Sequence, residues 1–430
     1  MKKYISLLLC AALVLAGLTG CNREQTPVMS ESTQKPTEAV EQVELTIPAD
    51  ERPYVGVELE FLTLLEEDDP RADVVRQAAE YFEKRTGAVV HPCWLGSEDE
   101  VAANFTAGVK VDIFASSADF LETMFAPYAL DLTQMAAKSG YEQHSHSALR
   151  EQIIDRCGYL TAIPQSPILY GMYYNADSVG DLVLPESWEE FLDFSGKLTM
   201  NGFVPMAMDA ENANLTLELY LERQLGYETF QQMMANAGWT KDTAYIELFR
   251  LPIDYAGAGY LAKGDPAAFP AGQDKLALSN VALVPGSSEL CAQVEKSALM
   301  DIRWGVFPYP GDGEGKGFAV ESQVLAVHKD CAEPQAAFDF IMLLTTGAFD
   351  QLYADAGVGI PADPANESTI EGAMELLAKA DKRGIGLLRS DDNELFSRLW
   401  NGWYKTPGYF ASAMNGLAGA YKSNATEGVG

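Results

Sequence analysis

Apolar and polar positions alternate along Val57 to Leu65, "VELEFLTLL", and then become wholly apolar, the pattern of a strand entering a covered sheet. Asp69-Pro70 follows as an N-cap with proline at the first helical position. Val74, Val75, Ala78, Ala79 and Phe82 form one helical stripe, which stops at Gly87. "AVVHPCW" predicts a second strand, residues 98–108 a helix, and "VDIFASS" a third strand. Strands and helices alternating in this way predict a parallel α/β sheet.

Further along, the pattern becomes mixed. "LTAIPQSPILYGMYYN" predicts two extended pieces separated by prolines, and "PESWEEFLDFSGKL" predicts a helix opened by a Ser187-x-x-Glu190 capping box. Residues 213–236 and 241–261 read as largely helical, while "NVALVPG" and "IRWGVFPYP" are strand-like. "ESQVLAVHK" predicts a strand leading into a helix from Pro334 to Leu344. The last sixty or so residues read as helical, with aromatic positions at Phe396, Trp400, Trp403 and Tyr404. No internal repeat is visible.

The first residues follow a different rule. Met1-Lys2-Lys3 precedes an apolar run from Ile5 to Leu18 interrupted only by Ser6, and small residues close it at Gly17, Thr19 and Gly20. This is the layout of a secretory signal, shorter than the ~20 apolar residues that span a bilayer. Leu18-Thr19-Gly20-Cys21 resembles the lipobox of bacterial lipoproteins, which implies cleavage before a lipidated Cys21. Residues 1–20 are therefore expected to be a signal peptide. Residues 21–52 are expected to be a lipidated cysteine and a disordered tether, because Glu, Gln, Thr, Ser and Pro dominate there without a period.

Length and charge narrow the function. The chain has 430 residues and a net charge of −32, from 30 basic and 62 acidic residues. A body beginning near residue 53 is too long for one ordinary core and predicts two domains. So acidic a surface repels phosphate backbones and excludes nucleic acid as a partner. It favours solubility outside the cell and leaves a cationic ligand open. Cys10 would leave with the signal and Cys21 would be lipidated, so Cys93, Cys157, Cys291 and Cys331 remain, with no C-x-x-C pair and an open disulfide state. Enzyme motifs are missing: "PGSSE" lacks the second glycine of a nucleophile elbow, and "GDGEGKG" lacks the GK[ST] end of a P-loop. His144 and His146 flank Ser145 with a spacing that rarely makes a metal site. No catalytic residue, metal or cofactor is expected.

Several segments then occur in one order: "AAEYFEKRTGAVV", "VDIFASSADF", "AIPQSPILYGMYYNADSV", "LPESWEEFLDFSGKL", "WGVFPYPGD", "ESQVLAVHKDCAEPQAAFDFIMLLTT" and "AGVGIPA". Together they resemble the extracellular solute-binding proteins of ABC importers, in the branch that includes maltodextrin-binding proteins, over nearly all of residues 54–362. Residues 363–424 match in general character. The resemblance implies an α/β, two-lobe periplasmic-binding-protein fold (type II) whose lobes are joined by crossing hinge strands. One lobe would hold residues 53–166 and 321–354, the other 167–320 and 355–430, hinged near Gln165 to Tyr170 and Phe318 to Gln323. It also implies capture of a mono- or oligosaccharide for ABC permease subunits by a monomer held outside the cell, touching the membrane through its lipid anchor only. Two alternatives remain: the same scaffold binding a cationic solute such as a polyamine, or a surface lipoprotein acting on or adhering to polysaccharide.

Candidate ligand-binding residues come from strand ends and from the resemblance. Glu66 and Glu67, beside Asp68, leave the first strand, and Ser116, Ser117 and Asp119 leave the third. A carboxylate accepts two hydroxyl protons at once and serine both donates and accepts, which suits sugar hydroxyls; the competing reading is negative charge placed at a helix N-terminus. The resemblance adds Gln165, Tyr170, Glu321 and Ser322 at the hinge, the last two standing where many relatives carry glycines. Sugar rings stack on flat aromatic faces, so Trp239, Trp304, Trp400, Trp403, Tyr170 and Tyr404 are available platforms, with Trp400 and Trp403 favoured. Trp94 and Trp188 read as packing. Pro285-Gly286-Ser287-Ser288 replaces a glycine-serine-tryptophan turn of many sugar-binding relatives, which removes one stacking surface.

Overall fold

The computed structural model describes residues 52–208, 213–235, 248, 251–252, 254–263, 272–278, 280–298 and 301–383. The signal peptide, Cys21, all but the last residue of the tether, and Trp239, Trp400, Trp403 and Tyr404 lie outside the described residues.

One 8-stranded mixed sheet organises the molecule. Its strands are β1 (Glu58–Thr63), β2 (Val89–Trp94), β3 (Ile113–Ser117), β4 (Ile163–Asn175), β5 (Val204–Met206), β6 (Val281–Ser287), β7 (Trp304–Phe307) and β8 (Ala319–Val327). They lie in the order β2-β1-β3-β8-β4-β6-β5, with β7 beside β4. β1 is parallel to β2 and β3, and β8 runs antiparallel to β3 and β4. The result is the two-lobe α/β architecture: β2-β1-β3-β8 form one half-sheet, β7, β6 and β5 the other, and β4 and β8 cross between them.

The segment expected as two extended pieces is one 13-residue strand, β4. Pro164 and Pro167 do not break it, because they sit in its first half, where β8 pairs on one side and, among the described residues, no strand pairs on the other. A missing N–H is tolerated at such an edge. The register shifts between Pro164 and Ser166, so Gln165 is the extra residue of a bulge. From Tyr170 onward β6 and β7 take up the two edges of β4.

Local signals fix the helices. In α1 (Pro70–Thr86) the Asp69 side chain accepts from the Arg71 N–H, Pro70 starts the first turn, and Gly87 ends it at φ 85° with its N–H bound to the Glu83 carbonyl. A side chain at Gly87 would also meet the Val55 backbone. Ser97 caps α2 (Glu98–Ala107), and Gly158 ends α3 (Ser147–Cys157). Both halves of the Ser187/Glu190 capping box are formed at α4 (Trp188–Met200). The second half adds α5 (Ala213–Leu225), α6 (Tyr227–Ala235) and α7 (Glu289–Glu295). α8 (Pro334–Thr345), α9 (Gly347–Ala356) and α10 (Ala373–Lys379) follow β8.

β4 is buried on both faces, which is why its alternation is lost in sequence. Met172 and Tyr174 point into a core with Phe191, Phe194, Tyr220 and Phe307, while Leu169 and Tyr173 point into another with Val284 and Val306. Each fully buried ring such as Phe191 contributes about 1.5–3 kcal/mol. Trp188 packs against Phe191, Tyr220 and Tyr255, as expected. Trp304 is buried too, its Nε1 donating to Glu295 Oε1 at 2.7 Å. Trp94 departs from a pure packing role: it is half-buried, with the Arg76 guanidinium 4.8 Å from its ring centre. Cys93, Cys157, Cys291 and Cys331 are all free thiols.

Behind the sheet, the loop after α9 folds over Asp350. The backbone N–H groups of Ala362 and Asp363 and the Asn366 side chain each donate to its carboxylate at 2.9 Å. Asp350 is nevertheless 1% exposed, and burial pushes its pKa up to about 7 despite those donors, with Asp363 adding to the rise. Asp363 Oδ2 in turn lies 2.9 Å from His144 Nδ1.

Candidate functional site

The two crossing strands bring four predicted residues together. Pro167 lies opposite Ser322 and Ile168 opposite Glu321, with the Gln165 bulge beside them. Gln165, Tyr170, Glu321 and Ser322 are all buried. Tyr170 donates its hydroxyl to Glu321 Oε2 at 2.9 Å, which offsets part of the cost of burying that carboxylate. Strand alternation puts Ser322 on the other face of β8, where its hydroxyl is buried with no hydrogen-bond partner among the described residues. On that face Gln152 of α3 donates to the Val320 carbonyl at 2.7 Å.

The predicted residues after β3 have separate fates. Ser116 is fully buried and its hydroxyl donates to the Ser117 carbonyl at 2.8 Å, so it presents no exposed atom. Ser117 Oγ accepts from the Phe120 N–H at 3.3 Å, and its own N–H donates to Glu98 Oε1 at 3.2 Å. Asp119 projects outward, 52% exposed, and is ion-paired with Arg156, which is only 19% exposed. The same guanidinium lies 3.7 Å from Glu122 Oε2. Burial works against its charge, but Asp119, Glu321 and Glu122 together hold the Arg156 pKa above its usual value.

After β1 the acids serve the helix. Glu66 and Glu67 are exposed at the strand end, and Arg76 donates to the Glu67 carbonyl at 3.0 Å. Asp69 caps α1 and is held by Arg71 in two parallel bonds of 2.9 and 2.7 Å. Burial would raise the Asp69 pKa, yet the Arg71 contacts leave it below the ordinary carboxylate range. Gly357 gives Arg71 room, since a Cβ there would stand 2.8 Å from its Cδ. Among the described residues, no hydrogen bond or ion pair joins Glu66 or Glu67 to the Asp119–Arg156 pair.

The facing wall belongs to the second half of the molecule. Tyr227 opens α6 with the Arg383 guanidinium 5.2 Å from its ring, and it lines a small pocket with Glu218, Phe230, Phe318 and Arg383. Burial and the charge of Glu218 push the Tyr227 pKa up, while Arg383 and Arg156 pull it down. Arg156 thus acts across the seam. One residue earlier in α3, Asp155 Oδ2 meets Lys382 Nζ at 2.5 Å. A larger pocket of about 420 Å³ lies within the second half, lined among others by Tyr174, Glu186, Phe307, Phe318 and Glu375.

Arg156, Glu122 and Tyr227 were not singled out by sequence reasoning. In "IIDRCG" the arginine reads only as a cation in the last turn of a helix, and its partner Asp119 lies 37 residues away with no spacing rule to connect them.

A family model of bacterial extracellular solute-binding proteins matches residues 69–347. The chain belongs to that family. Members of the solute-binding family are non-catalytic, substrate-binding components of transport. Among the described residues no helix is long and apolar enough to cross a membrane. Solved structures share the solute-binding fold at low identity. The apo form of RafE from Streptococcus pneumoniae is 17% identical, with a TM-score of 0.70 over 85% of this chain and 97% of its own. A sugar transporter of Bacillus licheniformis in complex with stachyose is 17% identical, with a TM-score of 0.54 over 86% and 99%. Maltose-bound MalE3 of T. maritima is 15% identical, with a TM-score of 0.58 over 85% and 99%. No curated protein sequence matches the chain.

Proposed function

We propose that this solute-binding protein captures a mono- or oligosaccharide outside the cell and delivers it to the membrane subunits of an ABC importer, working as a monomer. One lobe would comprise residues 53–166 and 321–354 and the other 167–320 and 355–430, closing over the solute by bending at Gln165 to Tyr170 and Phe318 to Gln323. The observation that carries the reading is the buried polar pair on β4 and β8, where Tyr170 holds Glu321 near the Gln165 bulge, with Ser322 on the opposite face of β8. Hydroxyl-rich solutes need such fixed donors and acceptors at the base of a cleft. Asp119 and Ser117 would contact the solute from the end of β3, with Glu66 and Glu67 at the rim and Trp239, Trp400 and Trp403 as stacking platforms; Ser116 would support that loop from beneath. Relatives solved with stachyose and maltose favour a saccharide.

A polyamine is disfavoured because Arg156 already neutralises part of the acidic set. A thermal-shift screen of residues 53–430 against stachyose, maltose, spermidine and amino acids tests the class. A ligand at 100 times its Kd stabilises the native state by about 2.7 kcal/mol. Stabilisation by a saccharide without product is the expected result, and hydrolysis of stachyose or maltose would favour the polymer-acting alternative. The lipid anchor is tested separately: Cys21→Ala should release the protein from membranes into the medium, and retention would refute it.

A further inference from the structure

We propose that Arg156 sets the charge selectivity of the cleft, making it refuse cationic solutes, so that removing this one charge turns the site into a cation binder. The proposal rests on the reading of the seam between the halves as the solute site. Two carboxylates contact the guanidinium, and the charge of a third acts on it. Asp119 comes from the loop after β3, Glu122 from the turn that follows, and Glu321 from the hinge strand β8. The first two are 52% and 46% exposed, whereas Arg156 is 19% exposed, so the acids face the opening and the cation sits beneath them.

Other cations on this side of the molecule are engaged elsewhere. Lys382 pairs with Asp155 at 2.5 Å, Lys316 stands 3.7 Å from Asp381, and Arg383 also pairs with Asp381. Among the described residues, Arg156 is therefore the cation that compensates Asp119 and Glu122. While it is present, an incoming ammonium meets acids already compensated and a guanidinium that repels it. A neutral polyol meets both donors and acceptors and needs no net charge transfer from water. Without it, Asp119 and Glu122, both about half exposed, would lose the cation that compensates them. A polycation would then relieve their repulsion.

The test is calorimetric titration of the purified chain and its variants with spermidine, stachyose and maltose. Wild type should take no spermidine at millimolar concentration. Arg156→Gln should gain spermidine affinity at least ten-fold above that limit, and the gain should fade between 20 mM and 300 mM salt. Arg156→Lys should behave like wild type towards spermidine. Arg303→Gln, which breaks an exposed pair with Asp177 in the second half, is the charge-matched control and should change nothing. If Arg156→Gln does not fold, Arg156→Met, which keeps the apolar stem, serves in its place. A folded neutral variant that gains no spermidine affinity overturns the proposal, as does spermidine binding by wild type. If wild type binds a saccharide and the neutral variant gains no cation, the charge role fails and the saccharide reading stands. If the variant gains spermidine but wild type binds neither saccharide, the saccharide reading fails and the charge role stands.

Discussion

Carboxylates on the cleft side and behind the sheet are handled in opposite ways. Asp69 and Asp119 are each met by an arginine, Arg71 and Arg156, where solvent is close. Asp350, in α9, is met among the described residues by two backbone N–H groups and an amide from the loop that covers it, and burial pushes its pKa up to about 7. At Asp350 burial outweighs the hydrogen-bond donors, whereas at the less buried Asp69 the Arg71 contacts outweigh burial. The Asp69 pKa is thus held down, while that of Asp350 is pushed up.

The largest expected effect breaks this contrast at its buried end. Because the folded pKa of Asp350 is raised, the native state holds a proton that the unfolded chain releases, so this group's stabilisation is present at low pH and lost as pH rises towards and through about 7. Urea unfolding should show roughly 2 kcal/mol of stability lost from this source between pH 5 and pH 7. Asp350→Asn should flatten that slope whatever its constant offset, and an unchanged slope would assign the proton elsewhere. Asp69→Ala comes next: losing the α1 cap and the Arg71 bonds should cost about 1–2 kcal/mol in urea at neutral pH while leaving solute affinity within two-fold. Its pH signature has the opposite sign, since a lowered carboxylate pKa gives stability above the ordinary carboxylate range that disappears on acidification. The smallest effect on stability is at Asp119→Asn, within about 0.5 kcal/mol for a half-exposed pair. Saccharide affinity should nevertheless fall about ten-fold, or about 1.4 kcal/mol. An Asp119→Asn variant that loses stability but keeps its affinity would make the two cleft loops equivalent.

Much of the fold was legible because its signals are local. Asp69-Pro70 and Gly87 bound α1, Ser187 and Glu190 open α4, and the apolar runs of β1 and β3 lie where they were expected. β4 was misread as two pieces because proline is penalised in a strand only where its N–H would have had a partner, and pairing is a tertiary fact. At the site, Tyr170 and Glu321 meet as neighbours on the crossing strands; the resemblance brought those two segments together, but not this bond, because many relatives carry glycine where Glu321 stands. Arg156 could not be anticipated: its role depends on α3 bringing its last turn against a loop 37 residues earlier. The inward turn of the Ser116 hydroxyl was equally hidden, since a strand-end serine reads the same whether it caps a turn or greets a ligand.

Pro164 and Pro167 have one more consequence. A strand edge with its N–H donors intact is a template on which another chain can add itself, the first step of sheet-to-sheet aggregation. By deleting two donors from the first half of β4, these prolines leave that edge a poor template for such addition if the halves ever part and uncover it. If the chain opens and shuts as proposed, it carries in the crossing strand itself a safeguard against sticking to its neighbours.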